Sequence, residues 1–194
     1  MYHMIKTKKT YQAIIKQGDI IEDIEFIESI DEKDGNLEIR KIIFPLVIVL
    51  SQDCDLNQDY DYRYGKYKEK ENHDKYLISV LVAPLYNIDH FTQGKHLELL
   101  DRTAQTITKF NKKKKPTTQY KNLLDNDIPR YHYLEFDKDV SIVPSIVDFK
   151  HYFTVNVEYL KKHKKQNFVC SLSSLYKERI SQRFSYFLGR IGLP

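Results

Sequence analysis

Cysteine occurs only at Cys54 and Cys170, too seldom for a disulfide framework. No apolar stretch follows Met1, because "MYHMIKTKKTYQ" is polar and basic, so no secretory leader is expected. The longest nearly unbroken apolar run, Ile42–Leu50, is far too short to cross a bilayer. These absences point to a soluble, cytoplasmic chain with free thiols and no membrane partner. The spacings C-x-x-C, H-x-H and H-E-x-x-H are missing. Asp53, Asp55, Asp59 and Asp61 do not follow the EF-hand pattern, so no metal or cofactor is expected. Internal repeats and flexible linkers are lacking too, and 1–194 reads as a single domain. Tryptophan is absent altogether.

What the chain does have is tyrosine, fifteen of them, a side chain that serves cores and binding faces alike. Its 41% hydrophobic and 30% charged residues are globular values, which exclude a wholly disordered chain. The formal net charge of +4 conceals an imbalance: 1–101 carries −6 and 102–194 carries +10. The stretch 102–124 holds seven basic residues and no acidic one, including Lys112, Lys113, Lys114 and Lys115. A positive surface there would suit a nucleic acid, while a solvated lysine loop is the plain alternative.

Hydrophobic periodicity makes the first half mostly strand. The stretch Ile20–Phe26 alternates with period two, as a half-covered strand does. Asp34-Gly35 is the strongest hairpin signal, and "LEIRKIIFPLVIVLS" returns from it with Pro45 at an edge or bulge. The β-branched run Ile42–Val49 suits cover on both faces. Residues 57–75 are charged, tyrosine-rich and aperiodic, so a loop insertion or solvated hairpin tip is expected there. "YLISVLVAPLYN" reads as a central strand. Leu97, Leu100, Ala104, Ile107 and Phe110 recur at helical spacing, which predicts an amphipathic helix over 88–111. With the basic loop behind it, 87–143 forms a helical and basic insertion. Three short strands follow in "RYHYLEF", "SIVPSIVDF" and "HYFTVN". A stripe of Leu172, Leu175, Tyr176, Ile180, Phe184, Phe187, Leu188 and Ile191 predicts a terminal amphipathic helix, closed by Gly189, Gly192 and Pro194. The expected fold class is α+β, mainly strand, with that helix packed on the sheet.

Taken in order, "IKQGDII", "FPLVIVLSQDCDLN", "LISVLVAPL" and "PSIVDFKHYFTVNVEYL" resemble segments of the PemK/MazF toxin family, as does the "RIGL" tail. The likeness covers 12–56, 76–86 and 144–193. It implies a small, strongly curled SH3-like barrel with a C-terminal helix. It also implies an endoribonuclease-like or DNA-topology-directed toxin of bacterial or phage defence, with nucleic acid as partner and a homodimer as the working form. The family places its catalytic arginine directly before the first strand proline and a hydroxyl two residues after the second. Here those positions hold Phe44 and Tyr86, and Arg40 is the nearest arginine. The catalytic positions are not retained, and a fold can be inherited without its activity.

Where the strand ending at Leu50 breaks into "SQDCD", Cys54 stands between Asp53 and Asp55. These three form a candidate catalytic group if a histidine (His90, His132 or His151) lies close enough to activate the thiol. The same residues also admit a metal-ligand reading, while the favoured one is that of polar groups tying down a strand end or turn. Ser51 and Gln52, with Tyr86 and His151, would line the barrel rim. In "PRYHYLEF", Arg130 and His132 interleave with tyrosines as in surfaces that stack bases and grip phosphate, the two sharing one strand face. Lys150 of "DFKHYF", on the face of Asp148 and Tyr152, could replace the missing arginine as a phosphate-binding cation. Three functions stay open: a nucleic-acid-directed toxin or defence component, a non-enzymatic protein-interaction module, and a cysteine- or metal-dependent hydrolase centred on Cys54.

Overall fold

A computed structural model describes residues 4–70 and 72–190. Ile191, Gly192 and Pro194, assigned above to the end of the terminal helix, lie outside the described residues. Among the described residues, one antiparallel sheet contains β1 (Thr7–Lys8), β2 (Asp19–Lys33), β3 (Asn36–Val49), β4 (Ser79–Asn87), β5 (Tyr131–Leu134), β6 (Ser145–Asp148), β7 (Phe153–Asn156) and β8 (Phe168–Leu172). The helices are α1 (Asp53–Arg63), α2 (Ile88–Thr92), α3 (Thr118–Leu124), α4 (Val157–Asn167) and α5 (Ser174–Leu188). Strand order is β1-β8-β2-β3-β4-β6-β5, with β7 beside β6 on the same edge of β4. The ends of this path approach each other: Ile5 bridges Phe136, and its N–H donates to the Glu135 carbonyl at 2.7 Å. The ladder goes no further, so the protein is α+β with a sheet that is not closed into a barrel.

The hairpin forms where Asp34-Gly35 predicts it. Both residues take left-handed angles, φ 52° and 76°, and this turn sense matches the twist of the strands it joins. From Lys33↔Asn36 to Ile20↔Ile48 the strands stay paired, with one register shift between Ile27 and Ser29. Pro45 sits where it costs no ladder bond, because β4 pairs with β3 only from Val47 onward. Val47, Ile48 and Val49 have no exposed surface, and each buried aliphatic contributes about 1.5–3 kcal/mol. The hairpin is therefore anchored at its base, while its outer half is an arm held mainly by its own hydrogen bonds.

Alternation along β3 and β4 separates two apolar layers. Ile48, Ala83 and Leu85 pack with Ile180 and Phe184 of α5, and with Phe149 and Val147. Val47, Val49, Val80 and Val82 pack with Leu160 of α4. The central strands are thus covered on both faces, which accounts for their unbroken β-branched composition. The runs ending at Ser51 and Pro84 are neighbours, with Val47 opposite Pro84, and the terminal helix covers them as expected.

Several expected elements differ. Residues 57–63 belong to α1 rather than to a loop. Asp59 is buried and accepts from Arg63 Nε one turn later at 2.7 Å and from the Leu77 N–H at 2.6 Å. These tertiary bonds stabilise a helix that has almost no apolar face. The helix expected over 88–111 is cut short after Thr92. Gly94 turns at φ +75°, where a Cβ would lie 2.3 Å from the Ala104 carbonyl oxygen, and the chain doubles back so that Ile107 N–H reaches the Thr92 carbonyl. Ile107 and Leu97 join a satellite core with Phe91, Leu123 and Ile146, Leu100 packs against the α4-side core, and Phe110 is exposed. Helix α4 and strand β8 were not foreseen, and Leu172 closes β8 rather than opening α5. Leu175 and Leu188 of the expected stripe are exposed.

Candidate functional site

One break in a strand builds the most concentrated chemistry in the fold. Strands β6 and β7 run along the same edge of β4 but are separated by a 3-10 turn, Phe149–His151. Asp148 caps that turn, accepting the Lys150 N–H at 3.0 Å. Phe149 is driven into the core against Phe184 and Phe187. The turn replaces strand alternation, so His151 does not oppose Asp148 as expected but lies beside it, Nδ1 to Oδ2 3.5 Å. Tyr86 OH lies 3.1 Å from the same Nδ1.

Asp148 has no exposed side-chain surface and is held by a two-point pair from Arg130, Nε–Oδ1 2.8 Å and an Nη–Oδ2 contact of 2.5 Å. This fork geometry orients the carboxylate. Burial pushes the His151 pKa down, against the pull of Asp148, so the imidazole is neutral near pH 7. Burial and then Asp148 raise the Tyr86 pKa, so the phenol keeps its proton. Behind Tyr86 lies His96, ring centroids 4.9 Å apart, with its pKa pushed to about 4 by burial and then by His151.

His151 and Tyr86 line a cleft of about 320 Å³. Phe26, Phe44 and Phe153 form an aromatic wall, centroids 5.1–6.1 Å apart. Arg102 and Glu28 stand at its rim, Nη to Oε1 3.3 Å, and Arg40 pairs with the same Glu28 at 2.9 Å. Phe44 and Tyr86, the positions at which the family likeness sets a cation and a hydroxyl, therefore open onto one cleft. Arg102 falls inside the basic stretch 102–124 expected to suit a nucleic acid, but was not singled out as a site residue. It comes from the insertion, and only the reversal at Gly94 and the left-handed Asp101 bring it to the sheet.

The other candidates fall elsewhere. Cys54 is exposed in the first turn of α1, and its Sγ contacts are Gln52 Oε1 at 3.5 Å and Asp55 Oδ1 at 3.6 Å. Neither His90, His132 nor His151 shares a hydrogen bond or ring contact with it among the described residues, so the activated-thiol arrangement is not formed. Asp53 has a structural task, accepting the Gln17 N–H at 2.8 Å. Ser51 Oγ accepts the Leu81 N–H at 2.8 Å, and Gln52 is the N-cap of α1. Ser51, Gln52 and Asp55 line a different cavity from the Tyr86–His151 cleft.

His132 is a correction: it is 3% exposed, stacked on Phe149, and its pKa is pushed to about 3 by burial and then by Arg183 and Arg179. A group so enclosed offers no imidazolium to phosphate. Lys150 is exposed next to the site but does not line the cleft. Lys112, Lys113, Lys114 and Lys115 sit in an exposed turn organised by Asn111 Oδ1, and none lines the cleft. Among the described residues no group of three or more His, Cys, Asp or Glu side chains is placed to hold a metal ion, and no helix is long and apolar enough to cross a membrane. No protein-family model matches the sequence, and no curated protein matches it.

Proposed function

We propose that the protein acts on single-stranded RNA at the Tyr86–His151 cleft, as a divergent relative of the PemK/MazF toxins whose sheet curls toward their barrel. The observation that carries this reading is the convergence of Phe44, Tyr86 and His151 on one cleft beside Arg102. The aromatic wall suits a stacked base, a sequence-tolerant contact for which any base has a face. Arg102 stands in for the cation missing at Phe44.

The chemistry that fits is metal-independent transesterification. Neutral His151 takes the 2′-hydroxyl proton as that oxygen attacks the adjacent phosphorus. Arg102 stabilises the charge that grows on the phosphoryl oxygens, and the P–O5′ bond breaks as Tyr86 gives its proton to O5′ and regains one from the His151 imidazolium across their 3.1 Å contact. The products are a 2′,3′-cyclic phosphate and a 5′-hydroxyl. Asp148 and Arg130 are positioning residues that hold His151. Because the His151 pKa is lowered, cleavage should persist below pH 6.5 before protonation of the base stops it.

The test is a labelled single-stranded RNA incubated with protein in chelator. His151→Ala should lower cleavage by about 10²–10⁴-fold, the usual contribution of a general base. Tyr86→Phe should reduce the rate without weakening RNA binding. RNA left uncut and unbound by the wild type would refute the reading. A protein-interaction role has its own support in the hairpin arm, where Ile27, Ile30, Leu37, Ile39 and Ile43 are all at least half exposed on one face.

A further inference from the structure

The Gln17-Gly18-Asp19 motif takes no part in that chemistry, yet it is among the most constrained pieces of the fold. Gln17 and Asp19 are buried, and the Gln17 amide reaches the Leu50 carbonyl at 3.1 Å. Gly18 turns at φ +75°, with a Cβ position only 3.0 Å from Leu172 Cβ and 3.1 Å from Lys177 Cγ, so no larger residue fits without movement. The turn sets Asp19 against Lys164, which is 1% exposed although charged, at 2.6 Å. The Lys164 ammonium also donates to the Ile14 carbonyl at 2.6 Å.

Asp19 and Lys164 help to wall a partly enclosed cavity of about 170 Å³, separate from the Tyr86–His151 cleft. Lys8, Lys16, Lys164 and Lys177 line it, with Asp19 and Asp53 as its carboxylates. Lys164 is neutralised by Asp19, and Lys177 approaches Asp53 at 3.4 Å. Lys8 and Lys16 have no ion pair among the described residues. The wall therefore holds two ammonium groups in excess, beside the hydroxyl-bearing Thr10, Ser171 and Ser174.

We propose that this cavity is a binding site for a phosphate dianion, inorganic or as the terminal group of a phosphomonoester. Two unpaired ammoniums match the charge of a dianion, and hydroxyl donors complete its shell. Lysine binds phosphate as a point charge and needs no planar fork. The volume of about 170 Å³ is ample for a phosphoryl group. The buried pair Lys164–Asp19 and the contact Lys177–Asp53 act as the frame, each carboxylate of the wall being matched by its own ammonium.

The test uses the full chain, with isothermal titration of sodium phosphate against chloride at matched ionic strength and near-neutral pH. Saturable binding is expected for the wild type, and Lys8→Ala/Lys16→Ala should lower the affinity by about tenfold or more, the worth of one lost charge-assisted bond. That double variant leaves the frame intact, so its thermal midpoint in chloride should match the wild type. Lys112→Ala/Lys113→Ala, which removes equal charge elsewhere, should bind as the wild type does. Adenosine 5′-monophosphate against adenosine separates the sources. Binding of both phosphates supports a monoester site, and binding of inorganic phosphate alone supports a site for the free ion. Absence of saturable phosphate binding, or equal weakening by both double variants, would overturn the proposal. Neither outcome bears on RNA cleavage at His151.

Discussion

Acid should unfold this protein through a histidine that is nowhere near its surface. His132 lies within β5 between Phe149 and the guanidinium groups of Arg183 and Arg179, and its Nδ1 is buried with no hydrogen-bond partner. Its pKa falls from 6.5 to about 3 on folding, because burial penalises the cation and both arginines repel it. The folded chain refuses a proton that the unfolded chain accepts. The stabilising contribution is full above about pH 6.5 and is lost progressively as pH falls toward about 3. At about pH 5 the loss from this residue alone is about 2 kcal/mol, a large part of a marginal stability. His96, also held down, acts in the same direction. Urea unfolding of wild type and His132→Leu at about pH 7.5 and about pH 5 isolates the effect, since carboxylates contribute equally to both. The variant should lose about 2 kcal/mol less than the wild type between the two conditions. Equal losses, or a His132 titration near its ordinary value by NMR, would show that the burial argument fails.

Other substitutions probe the scaffold around the site. Gly94→Ala should cost about 2 kcal/mol or more in urea unfolding, because its left-handed angle and the Ala104 carbonyl both oppose a side chain, and it should weaken any activity that depends on Arg102. Asp148→Asn leaves Arg130 without its two-point partner and should cost about 3 kcal/mol, and it should lower the His151 pKa further in NMR titration, because the lost carboxylate opposes the effect of burial. Asp59→Ala removes acceptors for both Arg63 and Leu77, and should destabilise by about 2 kcal/mol and open 64–76 to proteolysis. Cys54→Ser should change stability by less than about 0.5 kcal/mol and leave any turnover of the proposed RNA substrate intact, and lost turnover would restore the thiol as a candidate nucleophile.

What could be read from the linear chain was what local physics decides. Asp34-Gly35 demands a hairpin whatever surrounds it, and the β-branched run before Ser51 demands cover on both faces. The three short strands after Arg130 and most of the terminal helix obey the same logic. Where tertiary bonds decide, the pattern misled. Helix α1 has polar residues all round and exists because Asp59 reaches Leu77 and Arg63. In 88–111 helical spacing was real but was spent on a chain reversal, since Gly94 fits a left-handed turn against Ala104, and Leu97 and Ile107 find a satellite core. In α4, Lys164 sits where a hydrophobic residue would have signalled the buried face, and its partner Asp19 is far away in sequence.

The site shows the same division at finer grain. Tyr86 and His151 were both named from the family likeness as rim residues of a barrel, but their meeting was not foreseen, because it depends on one 3-10 turn interrupting an otherwise regular edge. Strand alternation would put Asp148 and His151 on opposite faces. The cap that Asp148 makes to Lys150 puts them on the same one, and a single residue thereby sets both the backbone break and the charge beside the imidazole. This coupling means that a substitution removing the Asp148 side-chain oxygen, such as Asp148→Ala, changes the charge and loosens the turn together. A variant that keeps the cap but changes the charge, Asp148→Asn, is therefore the sharpest separator of the two roles. If the turn's own contacts persist, with Phe149 still packed on Phe184, then any change at His151 reports the carboxylate rather than the fold.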